Sequence, residues 1–380
     1  MRFAFTDDQL ALRDAVRDLL AKECPAEVVR SAWPEPDDHD GRGAGARADA
    51  GRLDQLWAAL TDMGVTGVGV PEAHGGLGLT EVDWVLLAEE SGYAAVPQPF
   101  VETVCVGAPL LAGAADPGGD LADVLAGRTL LTTAISPGSD PSGDPTTAIG
   151  GAAPVPAGSP SGGVRPAAAP AGPGPAPWLA SATVDRPVLL LHGDGRFHLR
   201  PVSAATAVAS VDGARRLGSV EPGADRFLTD DPDLMQLAWD RGVLGTSAQL
   251  LGLARRMLDL TVAYVVERRQ FGVQIGSFQA VKHHLADAAL RIEFAAPAVH
   301  RAATSCTTGS PSRARDVSMA KVLAGDAATF TGRVALQCHG AIGYTVENDL
   351  HVYLKRAWAL SRAWGDSAWH RDRVGRAIGV

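Results

Sequence analysis

Tyr264-Val-Val-Glu-Arg-Arg-Gln-Phe-Gly-Val-Gln-Ile-Gly-Ser-Phe-Gln-Ala-Val-Lys-His-His-Leu-Ala-Asp287 is the stretch whose reading decides the fold. It opens as the end of one apolar-striped helix, breaks from Phe271-Gly272 through Gly276, and starts a second helix at Ser277-Phe278-Gln279. An arginine pair, an aromatic residue and two glycines at a helix-to-helix junction suit a polyanion lying against the backbone. Arginine forks match phosphate oxygens, and glycine permits close approach. An ordinary helical hairpin turn carrying surface arginines has the same spacing.

Apolar residues recur at helical spacing on both sides of that junction. Val243, Leu250, Leu251, Ala254, Met257, Leu258, Val262 and Val265 form one stripe, and Phe278, Val281, Leu285, Ala288, Ile292, Ala295 and Val299 form the next. A third runs through Leu323, Ala327, Phe330 and Val334 and ends on Gln337; a fourth runs from Leu350 through Ala357 and Leu360 to Trp364. Four long amphipathic helices with short connections read as an antiparallel bundle over residues 230–380.

The pattern changes upstream. Residues 129–135, 187–192, 197–202 and 207–211 are short β-branched or apolar runs bounded by glycine, proline and acids, which is strand chemistry. They place a small β domain, a barrel or sandwich, at 128–229. Within it, 136–177 is mostly alanine, glycine, proline and serine, with few large side chains to offset ordering entropy, and reads as loop. Residues 1–127 are helical: Thr6 and Thr80 stand as caps before apolar stripes, a glycine-rich tight loop fills 68–79, and a short helix covers 121–124. Glu89-Glu90 reads as a solvated helix face. The expected class is therefore mainly α with a middle β domain.

A hydrophobic share of 46% with 20% charged residues is the profile of a soluble globular protein, and 380 residues allow a sizeable core. The formal net charge of -9 excludes nonspecific binding to nucleic acid or anionic membrane, so an anionic ligand must meet a local basic cluster. The N-terminus lacks the apolar core of a signal peptide, and no apolar run is long enough for a membrane span. Cys24, Cys105, Cys306 and Cys338 lack paired-ligand spacing and read as reduced thiols of a cytoplasmic protein.

A second junction, Gln337-Cys-His-Gly-Ala-Ile-Gly-Tyr344, puts an amide on the buried stripe and opens the backbone at Gly340 and Gly343. The amide faces either a ligand or a neighbouring carbonyl at a capped helix end. His339 and His351 have no carboxylate or cysteine partner at ligand spacing, and His283-His284 cannot share one helix face, so no metal is expected. Nucleophile elbow, phosphate-binding loop and dinucleotide fingerprint are all missing.

Taken together, residues 71–79 with Glu89-Glu90, Tyr264-x-x-x-Arg268-x-Gln270-Phe271-Gly272 with Phe278-Gln279, and Gln337-x-x-Gly340-x-x-Gly343-Tyr344 resemble the acyl-CoA dehydrogenase family over nearly the whole chain. The resemblance implies FAD lying between two subunits. It assigns Arg268, Gln270, Phe271, Phe278, Gln279, Gln337, Gly340 and Ala341 to the pyrophosphate and adenylate of a neighbour's flavin, with alanine at 341 where members usually have glycine.

The rest of the family's site is altered. Its flavin-wall run is eroded to Ala134-Ile-Ser-Pro-Gly-Ser-Asp140, and its later aromatic strand has no match. The two places where members carry the glutamate base hold Trp364 and Gly242. Asp240 and Asp366 are the nearby acids left for a shifted base, Asp366 being also the cap of a terminal helix. This departure resembles a catalytically degenerate subunit of heteromeric actinobacterial acyl-CoA dehydrogenases. It implies a dissimilar partner chain in a tetramer with two copies of each, an acyl-CoA that can be bulky, such as one with a steroid side chain, and an electron-transfer flavoprotein or similar acceptor. A self-sufficient homotetramer with a relocated base, or an acyl-CoA-binding scaffold without flavin, stand as alternatives.

Overall fold

The computed structural model describes residues 4–33, 50–114, 119–135, 178–180, 188–191, 197–200, 205–208, 210–215, 217–220 and 226–380. The low-complexity stretch 136–177, and with it most of the eroded flavin-wall run, lies outside them.

Side-chain caps set the N-terminal helices. The Thr6 hydroxyl accepts from the Gln9 amide N–H at 3.2 Å while the Gln9 side chain accepts from Thr6 N at 2.8 Å, starting α1 (Asp7–Glu23) with a reciprocal capping box. After α2 (Ala26–Ser31) and α3 (Ala50–Asp62), the glycine-rich loop folds back on itself, and Thr80 with Asp83 repeats the box at α4 (Glu81–Tyr93). A π-helical segment, Val101–Gly107, then runs into α5 (Ala108–Gly113), followed by α6 (Asp120–Leu125). Sequence periodicity finds these except α2, the π segment and α5: α2 and α5 are only six residues long, too short to show a period, and in the π segment Glu102 and Thr103 interrupt an otherwise apolar run.

Among the described residues seven strands make one sheet: β1 (Thr132–Ile135), β2 (Trp178–Ala180), β3 (Val188–Leu191), β4 (Phe197–Arg200), β5 (Ala205–Val208), β6 (Leu217–Val220) and β7 (Arg226–Thr229), in the order β5-β6-β2-β1-β3-β4-β7. β1 and β3 are parallel and the other pairs antiparallel. Strands β2, β6 and β7 escape a reading of the sequence because β2 is only three residues long and β6 and β7 are four-residue runs interrupted by Gly218-Ser219 and opened by Arg226, so none shows a clear alternation. Buried ion pairs moor this domain to the helices. Arg215 reaches Glu102 of the π segment at 3.5 Å, and Arg356 bonds both Asp212 and the Val96 carbonyl, the latter at 2.8 Å. A buried guanidinium is tolerated only when paired in this way.

The C-terminal half begins with α7 (Pro232–Glu267), whose cap Asp231 accepts from Asp233 N at 2.9 Å. A hairpin of β8 (Arg269–Gln270) and β9 (Val273–Gln274) leads to α8 (Gln279–Thr307), α9 (Arg313–His339), α10 (Leu350–Arg362) and α11 (Ser367–Ile378). Helices α7, α8, α9 and α10 form the expected bundle, and α4 lies along α7. Their backbones approach so closely that a Cβ on Gly252 would sit 2.0 Å from the Glu89 carbonyl oxygen.

Two expectations fail here. Val262, Phe278 and Leu323 are not core residues but exposed, because a stripe facing a surface patch has the same period as one facing the core. Glu89 and Glu90 are not a solvated face: both are buried, Glu90 held by a bidentate Arg17 at 2.6 and 3.1 Å and Glu89 by Arg255. All four cysteines are buried free thiols. Among the described residues no helix is long and apolar enough to cross a membrane, and no three metal-ligating side chains cluster.

Candidate functional site

The first junction is built from the last turn of α7. Arg268 N–H closes that turn on the Tyr264 carbonyl at 2.9 Å, and Ile275 N–H then bonds the Arg268 carbonyl at 2.9 Å across the hairpin. The hairpin turns on Phe271 and Gly272, with φ of +53° and +81°. This paired left-handed turn matches strand twist, and glycine suits its second position. Phenylalanine at a positive φ is uncommon, and it leaves the ring 92% exposed, edge-on to Phe278 with centroids 6.2 Å apart. Arg268, Gln270 and Gln279 are exposed and have no side-chain partner among the described residues. No side chain caps α8, whose first N–H groups begin at Gln279, so the positive end of a long helix is left open at the same junction that carries the exposed Arg268.

At the second junction α9 ends on His339, and Gly340, with φ +66° and ψ −142°, turns the chain into a short 3₁₀ segment, Gly340–Tyr344. Gln337 is exposed, contrary to its expected place on the buried stripe, because it lies on the face of α9 opposite Ala335 and Cys338. Its amide, like Ala341, faces outward. The two junctions are joined by a contact that the motifs do not reveal: the Tyr264 ring stacks on His339, centroids 4.3 Å apart and planes 17° from parallel. Nδ1–H of His339 donates to the Ala335 carbonyl at 2.8 Å, and burial pushes the imidazole pKa down, so the stack is between neutral rings. Every residue assigned to the diphosphate clamp thus belongs to two junctions that touch each other.

The two positions that the resemblance gives to a base also meet, in a different part of the bundle. Trp364, only 4% exposed, lies on Gly242 of α7 so tightly that a Cβ there would fall 2.6 Å from its ring carbons. Trp239 packs edge-on to Trp364 at 5.4 Å and to Trp369 at 5.8 Å. The loop carrying Trp364 is held from beneath. Lys321 Nζ donates to the carbonyls of Ser361 at 3.1 Å and Gly365 at 2.8 Å, and the His370 ring bonds the Trp364 carbonyl through Nε2 at 2.8 Å. A carbonyl only accepts, so Nε2 carries the proton and Nδ1 accepts from the Ser318 hydroxyl at 3.1 Å. Burial depresses both groups, His370 well below the usual imidazole range and Lys321 to about 7. A lysine amid Val317, Ala320 and Ala324 on one helix stripe was the sequence signal for this latch.

Asp240 is fully buried, held by Arg313 at 2.8 Å, Arg373 at 3.2 Å and Gln236 at 3.1 Å. Asp366 accepts from Trp369 N at 2.9 Å and caps α11. Both nearby acids are therefore engaged in holding structure.

The described geometry agrees with comparisons to known proteins. Residues 6–116 match the description Acyl-CoA dehydrogenase, N-terminal domain, and residues 234–379 match Acyl-CoA dehydrogenase, C-terminal domain, together more than half of the chain. Acyl-CoA dehydrogenase IpdE2 of Mycolicibacterium smegmatis is 29% identical over 95% of this chain and 95% of its own length. The fold is shared with a chain of the ChsE4-ChsE5 complex from Mycobacterium tuberculosis, at TM-score 0.72 and 21% identity over 100% of this chain and 99% of that one. It is shared equally with a variant of the Tcur3481-Tcur3483 steroid ACAD, at TM-score 0.73 and 21% identity over 98% of both. With its helical N-terminal and C-terminal domains both matched and its two junctions in place, the chain belongs to the acyl-CoA dehydrogenase family.

Proposed function

We propose that the chain is the base-less subunit of a heteromeric, FAD-dependent acyl-CoA dehydrogenase that introduces a double bond between Cα and Cβ of a CoA thioester. In this reading Arg268, Gln270, Phe271, Phe278, Gln279, Gln337, Gly340 and Ala341 hold the diphosphate and adenylate of an FAD shared with a dissimilar partner chain. The residues present fit that half of the cofactor. A free guanidinium and an uncapped helix N-terminus suit a diphosphate, exposed amides suit its oxygens, and an exposed aromatic pair suits a flat base. The bound flavin supplies the hydride acceptor. A carboxylate must take the α-proton, and the partner provides it.

The observation that carries the proposal is the contact of Trp364 with Gly242. Both positions where the family keeps its base are here non-acidic and pressed together, while the diphosphate clamp stays open and unpartnered. A relocated base has no free carboxylate to draw on at Asp240 or Asp366. The likeness to a structure named as a complex of two chains and to one named a steroid ACAD supports a heterotetramer acting on a bulky acyl-CoA, such as one with a steroid side chain. An electron-transfer flavoprotein as acceptor and a cytoplasmic location complete the reading.

Co-expression with candidate partner chains, followed by flavin stoichiometry, tests it. The chain purified alone is expected to be colourless, and the complex to carry one flavin per pair of unlike chains. A full flavin complement in the chain alone refutes the proposal, and a colourless complex favours the scaffold reading. Within the complex, Arg268→Ala is expected to lower flavin occupancy at least tenfold at limiting FAD, since a charge-assisted contact to phosphate contributes about 1.5–3 kcal/mol. Unchanged absorbance would assign the clamp to the other chain.

A further inference from the structure

The indole of Trp364 does more than replace an acid. We propose that it is the stopper of a latent binding recess for a flat ring system, lodged there by the loop at 363–366 and latched by Lys321 and His370. Three observations lead to this. The recess is shaped for a planar group: Gly242 leaves no side chain on the α7 side, Trp239 lines it edge-on, and Trp364 fills it to 4% exposure. The stopper is held at conformational cost, because Trp364 sits at φ +58°, followed by Gly365 at +90°. A tryptophan gains nothing from that backbone by itself, so the hydrogen bonds from Lys321 to the Gly365 carbonyl and from His370 to the Trp364 carbonyl impose it.

The third observation concerns polarity. The indole N–H groups of Trp239 and Trp369 are buried beside the recess without a hydrogen-bond partner. A buried donor without a partner costs free energy, and at this place a guest bearing an oxygen would supply the acceptor. The recess therefore suits a flat or fused ring bearing a carbonyl or hydroxyl oxygen. The stopper excludes such a ring from this chain, leaving any ring-bearing substrate to the partner's side. This rests on the proposed function only in identifying the recess with the family's base site; the stopper itself needs neither flavin nor partner.

The test is made on the full chain. Trp364→Gly removes the stopper and also relieves the positive φ, so the emptied recess becomes available without added backbone strain. Millimolar indole is expected to raise the melting temperature of Trp364→Gly by about 2–4 °C and to leave the wild type unmoved. Oxindole, which adds a carbonyl oxygen, is expected to raise it further. No shift with either compound in the folded variant overturns the proposal.

Should Trp364→Gly fail to fold, Lys321→Met in 5-fluorotryptophan-labelled protein gives an independent reading. The fluorine line of Trp364, assigned by its loss in Trp364→Phe, is expected to show no H₂O/D₂O shift in the wild type and a clear one once the latch is cut. A line that stays shielded in Lys321→Met refutes the latch. Both measurements omit FAD and partner, so their failure would leave flavin stoichiometry untouched, and a failed stoichiometry would leave them standing.

Discussion

Two regions of the same bundle are finished in opposite ways. At the junctions, Arg268, Gln270, Gln279 and Gln337 have no side-chain partner among the described residues, and Phe271 is almost wholly in solvent. Around Gly242 and Trp364, by contrast, Asp240 is held by two arginines, Lys321 is held by backbone carbonyls, and the Trp239 and Trp364 rings are sealed from water. Folding alone explains the second region, since buried charge must be compensated and apolar rings gain by burial. It does not explain the first, because an exposed aromatic pair beside a free cation contributes little to stability. The difference separates what the chain keeps for itself from what it presents to something outside it.

The sharpest way to break that comparison is to remove one charge from each region. Asp240→Ala leaves Arg313 and Arg373 buried without their shared carboxylate and is expected to cost about 3–5 kcal/mol. Arg268→Ala, a loss of the same size in formal charge, is expected to stay within about 0.5 kcal/mol, because that guanidinium is exposed and unpaired. Denaturant unfolding midpoints of the two variants measure the contrast. A mild Asp240→Ala would mean that Asp240 is free for chemistry after all.

How the two regions read from sequence follows from the same physics. The bundle is legible because burial imposes a period of 3.6, and the caps at Thr6, Thr80 and Asp366 are legible because orphan N–H groups demand a nearby oxygen. At the proposed clamp the residues alone suggest no more than a polyanion or a surface turn, and the assignment to a flavin's diphosphate comes from the resemblance to a family. Periodicity misplaced Gln337, Phe278 and Val262 as core, since a helix repeats its apolar residues toward an absent neighbour as faithfully as toward its own interior. Glu89 was misread because its arginine lies 166 residues away, and no local pattern carries that information. The seal was invisible for the same reason: Trp364 and Gly242 are each unremarkable until the fold presses one on the other.

That contact supplies a prediction of intermediate size. Gly242→Ala drives a methyl to 2.6 Å from the Trp364 ring, and the ring cannot retreat while Lys321 and His370 hold its loop. Overpacking of this kind costs about 1–3 kcal/mol. In the Trp364→Gly background the obstacle is gone, and alanine in mid-helix is favoured over glycine by about 0.5–1 kcal/mol. The same substitution is thus expected to change sign between the two backgrounds, measured as a double-mutant cycle in urea. Additive effects would mean that Gly242 and Trp364 do not share one space.

The smallest expected stability effect belongs to Phe271, and it is the most informative about the open region. Its ring is 92% exposed and touches little besides Phe278, so Phe271→Ala removes almost no buried area and is expected to leave the unfolding midpoint unchanged within about 0.5 kcal/mol. Alanine also occupies the positive φ at 271 no worse than phenylalanine does, so the turn persists. If the ring serves only this chain, flavin occupancy of the complex will be equally indifferent. If it lies against a flavin's adenylate, occupancy falls at limiting FAD while stability holds, and that divergence separates a surface made for a ligand from one merely left bare.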